Sequence, residues 1–227
     1  MLLVIENVLS KAEVAQFREK LAAAAWRDGR ATAGALAADV KKNAQLDEND
    51  ETAIALGEKI LRVLGNHPTF VSAALPEKIY PPKFNRYAGA EYYGAHIDSA
   101  VMRVARAGVT IRADLSATLF LTEPEEYEGG VLTIEGAYGA QEVKLRAGDL
   151  VLYPADSLHE VTPVTSGARI SSFFWIQSMV AEGARRAILF DLDQSIQRLR
   201  AAGTVDRAEI VRLTGVYNNL LRLWAAV

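Results

Sequence analysis

The chain contains no cysteine, which excludes disulfides, thiolate zinc centres and cysteine nucleophiles together. Any metal ion must then be held by histidine or carboxylate. Histidine is nearly as scarce, with 3 in 227 residues, so each one can be weighed separately. A cationic excess is missing too: 25 Lys and Arg face 28 Asp and Glu, a formal net charge of -3. Nucleic-acid binding relies on a basic field, so small molecules or peptides are the expected partners and nucleic acid is not. No apolar run reaches the ~20 residues that span a bilayer. The opening MLLVIENVLSKAEV has no basic n-region, long h-region or A-x-A site, so neither a membrane anchor nor a signal peptide is expected, and a cytoplasmic protein is.

What remains is 50% hydrophobic and 23% charged, enough apolar material for one main domain with a sizeable core. Leu2 to Ile5 reads as a short strand. Ser10-x-x-Glu13 is a capping box for a helix that carries Val14, Phe17 and Leu21 on one face and runs to about Trp26. The stretch 28–50, with Gly29, Gly34 and KKNAQLDEND, has poor periodicity and reads as a long loop or broken helix. A second helix over 51–64 is closed by Gly65 and an Asn66-His67-Pro68 turn.

Short runs rich in β-branched and aromatic residues follow, such as KIYPPKFNRYAG, LSATLFLT, GGVLTIEG, QEVKLRAGDLVLYPA and RISSFFWIQ. Their spacing predicts a β-sandwich or jelly roll ending near Met179. From Ala184 the pattern is helical again, with Gly203 as a stop and Asp206-x-x-Glu209 as a second capping box. Three regions are therefore expected: an N-terminal helical and strand support over 1–77, a mainly β core over 78–178 and a C-terminal helical pair over 182–227. The apolar stripe ending in Leu220 and Trp224 makes that pair a candidate contact for a homo-oligomer.

In YYGAHIDSA, residues 92–100, His96 and Asp98 stand two apart and project to one side of an extended chain. His159, in LVLYPADSLHEV, ends an apolar strand at a Pro-containing turn. Two histidines and one carboxylate form the facial set used by non-haem Fe(II), which leaves three coordination positions open. Arg169 follows His159 across the turn PVTSG and can stand on the next strand, facing the metal over a sandwich gap of roughly 10 Å. A short diacid could bridge the two, chelating the metal at its keto acid end and taking paired hydrogen bonds from Arg169 at the other. Ser171, two residues further on, and Tyr87 are candidate additional donors to that carboxylate, and the last metal position would receive O2.

His67 reads as a turn residue outside the site, Phe173, Phe174 and Trp175 as core, and Gly129-Gly130 as a strand-entry turn or bulge. Tyr92 and Tyr93 are expected to line the wall of the site. The segments 28–50 and 99–116 are candidate substrate loops, the second carrying Arg103, Arg106 and Arg112, which could meet an acidic substrate. A cupin-like metalloprotein and a non-catalytic sensor of iron or 2-oxoglutarate are the alternatives.

FNRYAGAEYYGAHIDSA, LSATLFLTEPEEYEGGVLTI and AGDLVLYPADSLHEVTPVTSGARISSFFWIQS together resemble Fe(II)/2-oxoglutarate dioxygenases of the prolyl hydroxylase type, above all the bacterial PKHD-type hydroxylases, which include proteins linked with iron uptake. The resemblance implies a double-stranded β-helix fold. It also implies His96, Asp98 and His159 as Fe(II) ligands, Arg169 as the anchor of the 2-oxoglutarate C5 carboxylate, and L-ascorbate as the agent that keeps the iron reduced. The implied reaction hydroxylates a C–H bond with formation of succinate and CO2; the substrate is not named by the sequence.

Overall fold

Two-residue alternation over Val164–Ser178 builds the longest strand of the protein and sorts its side chains onto two faces. One face carries Phe174 and Ile176 into the main core, and the other carries Arg169, Ser171, Phe173 and Trp175 toward a cavity. The structure, a computed structural model, describes residues 1–32 and 39–226.

Around this strand a nine-stranded sheet is ordered Leu3–Ile5, Leu150–Pro154, Leu115–Phe120, Val164–Ser178, Lys83–Ala88, Ala44–Leu46, Trp26–Asp28. Tyr127–Gly129 and Pro76–Ile79 pair with the two ends of the long strand. A five-stranded sheet faces it, in the order Gly139–Val143, Leu132–Gly136, His159–Val161, Tyr92–His96, Lys41–Lys42. The two sheets form a jelly roll, as the strand texture predicts. Val101–Val104 and Val109–Arg112 make a separate hairpin.

Three helices cover the outer face of the larger sheet: α1 (Lys11–Ala22), α2 (Glu51–Gly65) and α3 (Pro68–Ala74). Phe17, Leu21, Ile60, Leu64 and Phe70 from these helices pack on Phe84, Leu119, Phe174 and Ile176 from the sheet. Burying each such side chain contributes about 1.5–3 kcal/mol. A second core lies between the sheets and includes Phe120, Leu132, Ile134, Val151 and Val164. The capping box of α1 forms as expected, with Ser10 and Glu13 bonded reciprocally.

The C-terminal pair comprises α4 (Gly183–Ala202) and α5 (Arg207–Trp224), with Gly203 in the left-handed conformation between them. Leu189 of α4 is fully buried, with Leu75 and Val180, whereas α5 buries no residue completely.

Two local expectations are corrected. Helix α1 ends at Ala22, and Trp26 begins a strand. Within 28–50, the strands Lys41–Lys42 and Ala44–Leu46 replace the expected loop. Ala44–Leu46 pairs with both Trp26–Asp28 and Lys83–Ala88. These strands are two or three residues long and owe their form to partners distant in sequence, so local periodicity carries no trace of them. Residues 33–38 of that stretch, Gly34 among them, lie outside the described residues. His67 is the N-cap of α3, its ring nitrogen accepting from the Phe70 amide at 3.4 Å.

Candidate metal and dicarboxylate site

Antiparallel pairing of Tyr92–His96 with His159–Val161 sets His159 directly opposite His96. Asp98 follows just beyond the strand end, on the same side as His96. One ligand atom from each of the three residues lies within 4.8 Å of the others, and this is the group of metal-ligating side chains found among the described residues. Asp98 Oδ2 stands 3.7 Å from His159 Nε2.

Each imidazole is aimed by its own backbone. His96 Nδ1 bonds to the Gly94 carbonyl at 2.8 Å, and His159 Nδ1 to the Ser157 carbonyl at 3.0 Å. A protonated Nδ1 donating to a carbonyl leaves Nε2 with a lone pair turned to the centre. Ser116 Oγ donates to Asp98 Oδ2 at 2.7 Å and fixes the carboxylate. Tyr93 stacks on His96 with ring centroids 3.6 Å apart, and Tyr153 meets His159 edge-on at 5.3 Å. Burial first, and then the neighbouring His159, push the His96 pKa down to about 4. A neutral imidazole is the form a metal ion accepts.

Arg169 occupies the deep end of the same cavity and is only 1% exposed. Its Nη1 donates to Ser171 Oγ at 2.7 Å, and Ser171 donates in turn to Asn85 Oδ1 at 2.5 Å. The guanidinium lies over the rings of Tyr87 and Phe120, at 5.4 and 5.1 Å. No carboxylate among the described residues forms an ion pair with it, and its Nε has no hydrogen-bond partner. Among the described residues the buried Tyr127 hydroxyl likewise makes no hydrogen bond of good geometry, although it lies close to Arg169. Burial raises the pKa of both Tyr87 and Tyr127 against the opposing charge of Arg169, so both keep their O–H protons at neutral pH.

A buried cation without an anion costs several kcal/mol. The deep end is therefore built for an anion from solution. Two imidazoles and a carboxylate at one end, with a lone buried guanidinium at the other, fit a metal ion chelated by a keto diacid.

The structure brings His96, Asp98, His159, Arg169, Ser171 and Tyr87 to one cavity of about 240 Å³. Tyr127, Asn85, Ser116, Lys41 and Lys83 escaped the sequence reading. Tyr127 had one usable signal, its place beside Gly129-Gly130. Gly130 has φ +60°, and a Cβ there would come within 2.9 Å of the Tyr127 ring and 3.1 Å of Arg169 Cδ. The expected bulge is present, with the register shifting between Glu128 and Gly129.

Some expectations need correction. Phe173 and Trp175 line the cavity, since they share the alternating face of Arg169; Phe174 belongs to the main core, and Trp175 also packs on the small cluster of Tyr80, Val104 and Ile111. Tyr93 is a wall residue, whereas Tyr92 points out to an exposed polar cleft. Of the three arginines, Arg103 reaches the cavity and Arg106 borders a separate apolar cleft beside α2. Arg112 is held by Asp114 at 2.6 and 3.0 Å.

Residues 82–177 match the 2OG-Fe(II) oxygenase superfamily, which gives the class that this jelly roll and its two-histidine, one-carboxylate cluster define. In fold the chain is similar to the crystal structure of a Pseudomonas putida prolyl-4-hydroxylase, with a TM-score of 0.51 and 21% identity over 78% of this chain and 92% of that one. Residues 184–226 match the PKHD-type hydroxylase C-terminal domain. A PKHD-type hydroxylase of Acidovorax ebreus (strain TPSY) is 59% identical over 99% of both chains. One of Phenylobacterium zucineum (strain HLK1) is 56% identical over the whole of both. The chain belongs to the PKHD-type hydroxylases, and is an Fe(II)- and 2-oxoglutarate-dependent dioxygenase.

Proposed function

We propose that His96, Asp98 and His159 are the Fe(II) ligands of this hydroxylase, and that Arg169, Ser171 and Tyr87 form the site of the distal carboxylate of 2-oxoglutarate, with Ser171 bracing Arg169 against Asn85. The observation that carries this reading is the pairing, in one cavity, of three convergent ligand atoms with a buried guanidinium that has no carboxylate partner among the described residues. Tyr127 joins the carboxylate site through its buried hydroxyl.

When bound, Fe(II) supplies the oxidising chemistry in which O2 and 2-oxoglutarate give succinate, CO2 and a hydroxylated substrate. The chain's own contribution is placement. Ser116 holds Asp98, the Gly94 and Ser157 carbonyls orient the two imidazoles, and the ring faces of Tyr87 and Phe120 keep water from the guanidinium. Arg169 fixes one end of the co-substrate, which sets the register of the other end against the metal ligands.

Calorimetry with Mn(II) under anaerobic conditions, followed by 2-oxoglutarate, tests the assignment apart from turnover. His96→Ala is expected to lose Mn(II) binding. Arg169→Ala should keep Mn(II) and lose 2-oxoglutarate. An Arg169→Ala protein that binds 2-oxoglutarate normally would refute the assignment of the deep end.

The finer readings belong to the same proposal. L-Ascorbate serves to keep the iron reduced, which a restoring effect on stalled turnover would support. The protein acts in the cytoplasm; no described helix is long and apolar enough to cross a membrane. The regions 1–77, 78–178 and 182–227 act as support, catalytic core and C-terminal extension. The extension mediates self-association, in keeping with the exposed Val211, Val216 and Leu223 of α5. Light scattering on the chain cut after residue 182 would reject that role if a folded product stayed oligomeric.

A further inference from the structure

The outer half of the cavity carries two lysines, one from each sheet. Lys41 stands opposite Tyr93 in the smaller sheet, its ammonium 5.0 Å from the Tyr93 ring centre, and is only 5% exposed. Lys83 opens the strand Lys83–Ala88 opposite Phe173 in the larger sheet, its ammonium 5.5 Å from the Tyr80 ring centre. Burial, and then the charge of Lys83, bring the Lys41 pKa down to about 8. Concentrating like charge in a desolvated cavity costs stability, and enzymes keep such arrangements where a ligand offsets the cost.

Among the described residues, cationic side chains outnumber anionic ones in this half. Glu48 lies 3.3 Å from Lys83 and also accepts from the Tyr80 hydroxyl at 3.3 Å. Asp98 attracts Lys41 but belongs to the metal cluster. Asp28 attracts Lys41 too but is bonded to Arg30, so among the described residues Lys41, Lys83 and the rim Arg103 face Glu48 here. Beside them lies an aromatic face. Tyr80 and Phe173 each meet Trp175 edge-on, at 5.4 and 5.5 Å, and Phe173 and Trp175 are half-buried. Arg169 is too far away to serve this half. It pairs with Tyr87, four residues along the strand from Lys83, or roughly 13 Å at ~3.3 Å per residue.

We propose that the outer half of the cavity is the substrate subsite and takes an aromatic carboxylate, with Lys41 and Lys83 receiving the carboxylate and the Tyr80, Phe173 and Trp175 face receiving the ring. The inference rests on the assignment of the deep end to 2-oxoglutarate. Two lysines in one cavity suit a carboxylate, and Glu48 beside Lys83 disfavours a dianion. Both ends share one cavity of about 240 Å³, which restricts the outer occupant to a small molecule.

The test uses the full-length protein with Mn(II) and saturating 2-oxoglutarate, titrated with benzoate, benzamide and phenyl phosphate by calorimetry. Benzoate is expected to bind at least about ten-fold more tightly than benzamide, the scale of a charge-assisted hydrogen bond, and to leave 2-oxoglutarate in place. Lys41→Met and Lys83→Met should each weaken benzoate about ten-fold without moving benzamide or 2-oxoglutarate. Phe173→Ala should weaken benzoate and benzamide alike. The Lys83 side chain is 12% exposed and the residue opens its strand, a more tolerant position than that of Lys41, so Lys83→Met decides the matter even if Lys41→Met does not fold.

Equal affinity for benzoate and benzamide, tighter binding of phenyl phosphate, displacement of 2-oxoglutarate, or benzoate binding unmoved in the folded lysine variants would overturn the proposal. Failure of the wild type to bind 2-oxoglutarate would instead refute the deep-end assignment. The benzoate and benzamide titrations, repeated without 2-oxoglutarate, would then still decide the outer subsite.

Discussion

The long strand Val164–Ser178 passes through both halves of the cavity and furnishes them differently. At the deep end, Arg169 and Ser171 are sealed in, and the polar atoms form a chain from guanidinium to Ser171 to Asn85. At the outer end, Phe173 and Trp175 are half-buried, and charged groups come from strands at both sides. A closed, fully specified pocket suits a co-substrate that never changes, and an open aromatic and cationic mouth suits the variable partner. The family assignment bears on the first half, whereas the second holds what is particular to this chain's substrate.

The metal ligands lie between the two halves, and their loss should disable both. Asp98→Ala leaves two imidazoles and removes the only anionic ligand of the cluster. Metal affinity should fall by well over the ~100-fold that losing an outer partner costs, with no succinate formed. Ser116→Ala supplies that smaller reference, ~10- to 100-fold. Mn(II) titration of both variants checks the order, and equal losses would mean that Asp98 is not a ligand.

Arg169→Ala separates the halves. Removing one side of a buried charge-assisted contact costs about 2–5 kcal/mol, so the apparent 2-oxoglutarate affinity should drop by at least ~30-fold. Mn(II) affinity, and benzoate affinity at the outer end, should not follow. A parallel loss of benzoate binding would erase the distinction between the two ends.

The outer end has its own signature in pH. Lys41 has a folded pKa near 8, below the ordinary 10.5, because burial and Lys83 disfavour its charge more than Asp98 and Asp28 favour it. Between those two values the unfolded chain holds a proton that the folded chain has released, so the destabilisation present in full below about pH 8 is relieved as pH rises across the window, and outside it this group adds no pH dependence. The difference corresponds to on the order of 3 kcal/mol. Tyr80, raised to about 12 by burial and Glu48, is common to wild type and Lys41→Met and cancels between them. Urea unfolding at pH 7.5 and 10 should therefore show a rise in the wild type that Lys41→Met lacks.

The two ends also differ in how readable they are from sequence. His96 and Asp98 share a strand side two residues apart, and His159 and Arg169 close adjoining strands, so period two and a turn suffice to relate them. The capping box at Ser10 and the N-cap at Asp206 are legible because their physics is local, although Glu209 turns to Arg212 and does not close the expected second box. Lys41 and Lys83 meet only through the packing of two sheets, and the strands that carry Lys41 and Ala44–Leu46 exist because of partners some forty to fifty residues away. Phe173 and Trp175 were misplaced because hydrophobicity alone does not tell a core face from a cavity face; the position of Arg169 on the same alternation did.

The smallest expected effect probes how closely the deep end is fitted. Gly130 has φ +60°, and a Cβ there would lie 2.8 Å from Val164 Cγ2, 2.9 Å from the Tyr127 ring and 3.1 Å from Arg169 Cδ. Gly130→Ala thus combines left-handed strain of roughly 1–2 kcal/mol with a push on the two groups assigned to the carboxylate. Both contacts involve side chains that can give way, so the fold should survive with a slightly lower melting temperature. Gly129→Ala, whose Cβ would stand 1.9 Å from the Pro163 carbonyl oxygen, meets rigid backbone and should destabilise the fold without a selective effect on the ligand. Weaker 2-oxoglutarate binding in Gly130→Ala, with Mn(II) and benzoate affinities intact, would place Tyr127 and Arg169 in one pocket whose shape is set by a missing methyl group. If Gly130→Ala loses stability alone, Tyr127 is a wall of that pocket and its hydroxyl takes no part in holding the carboxylate.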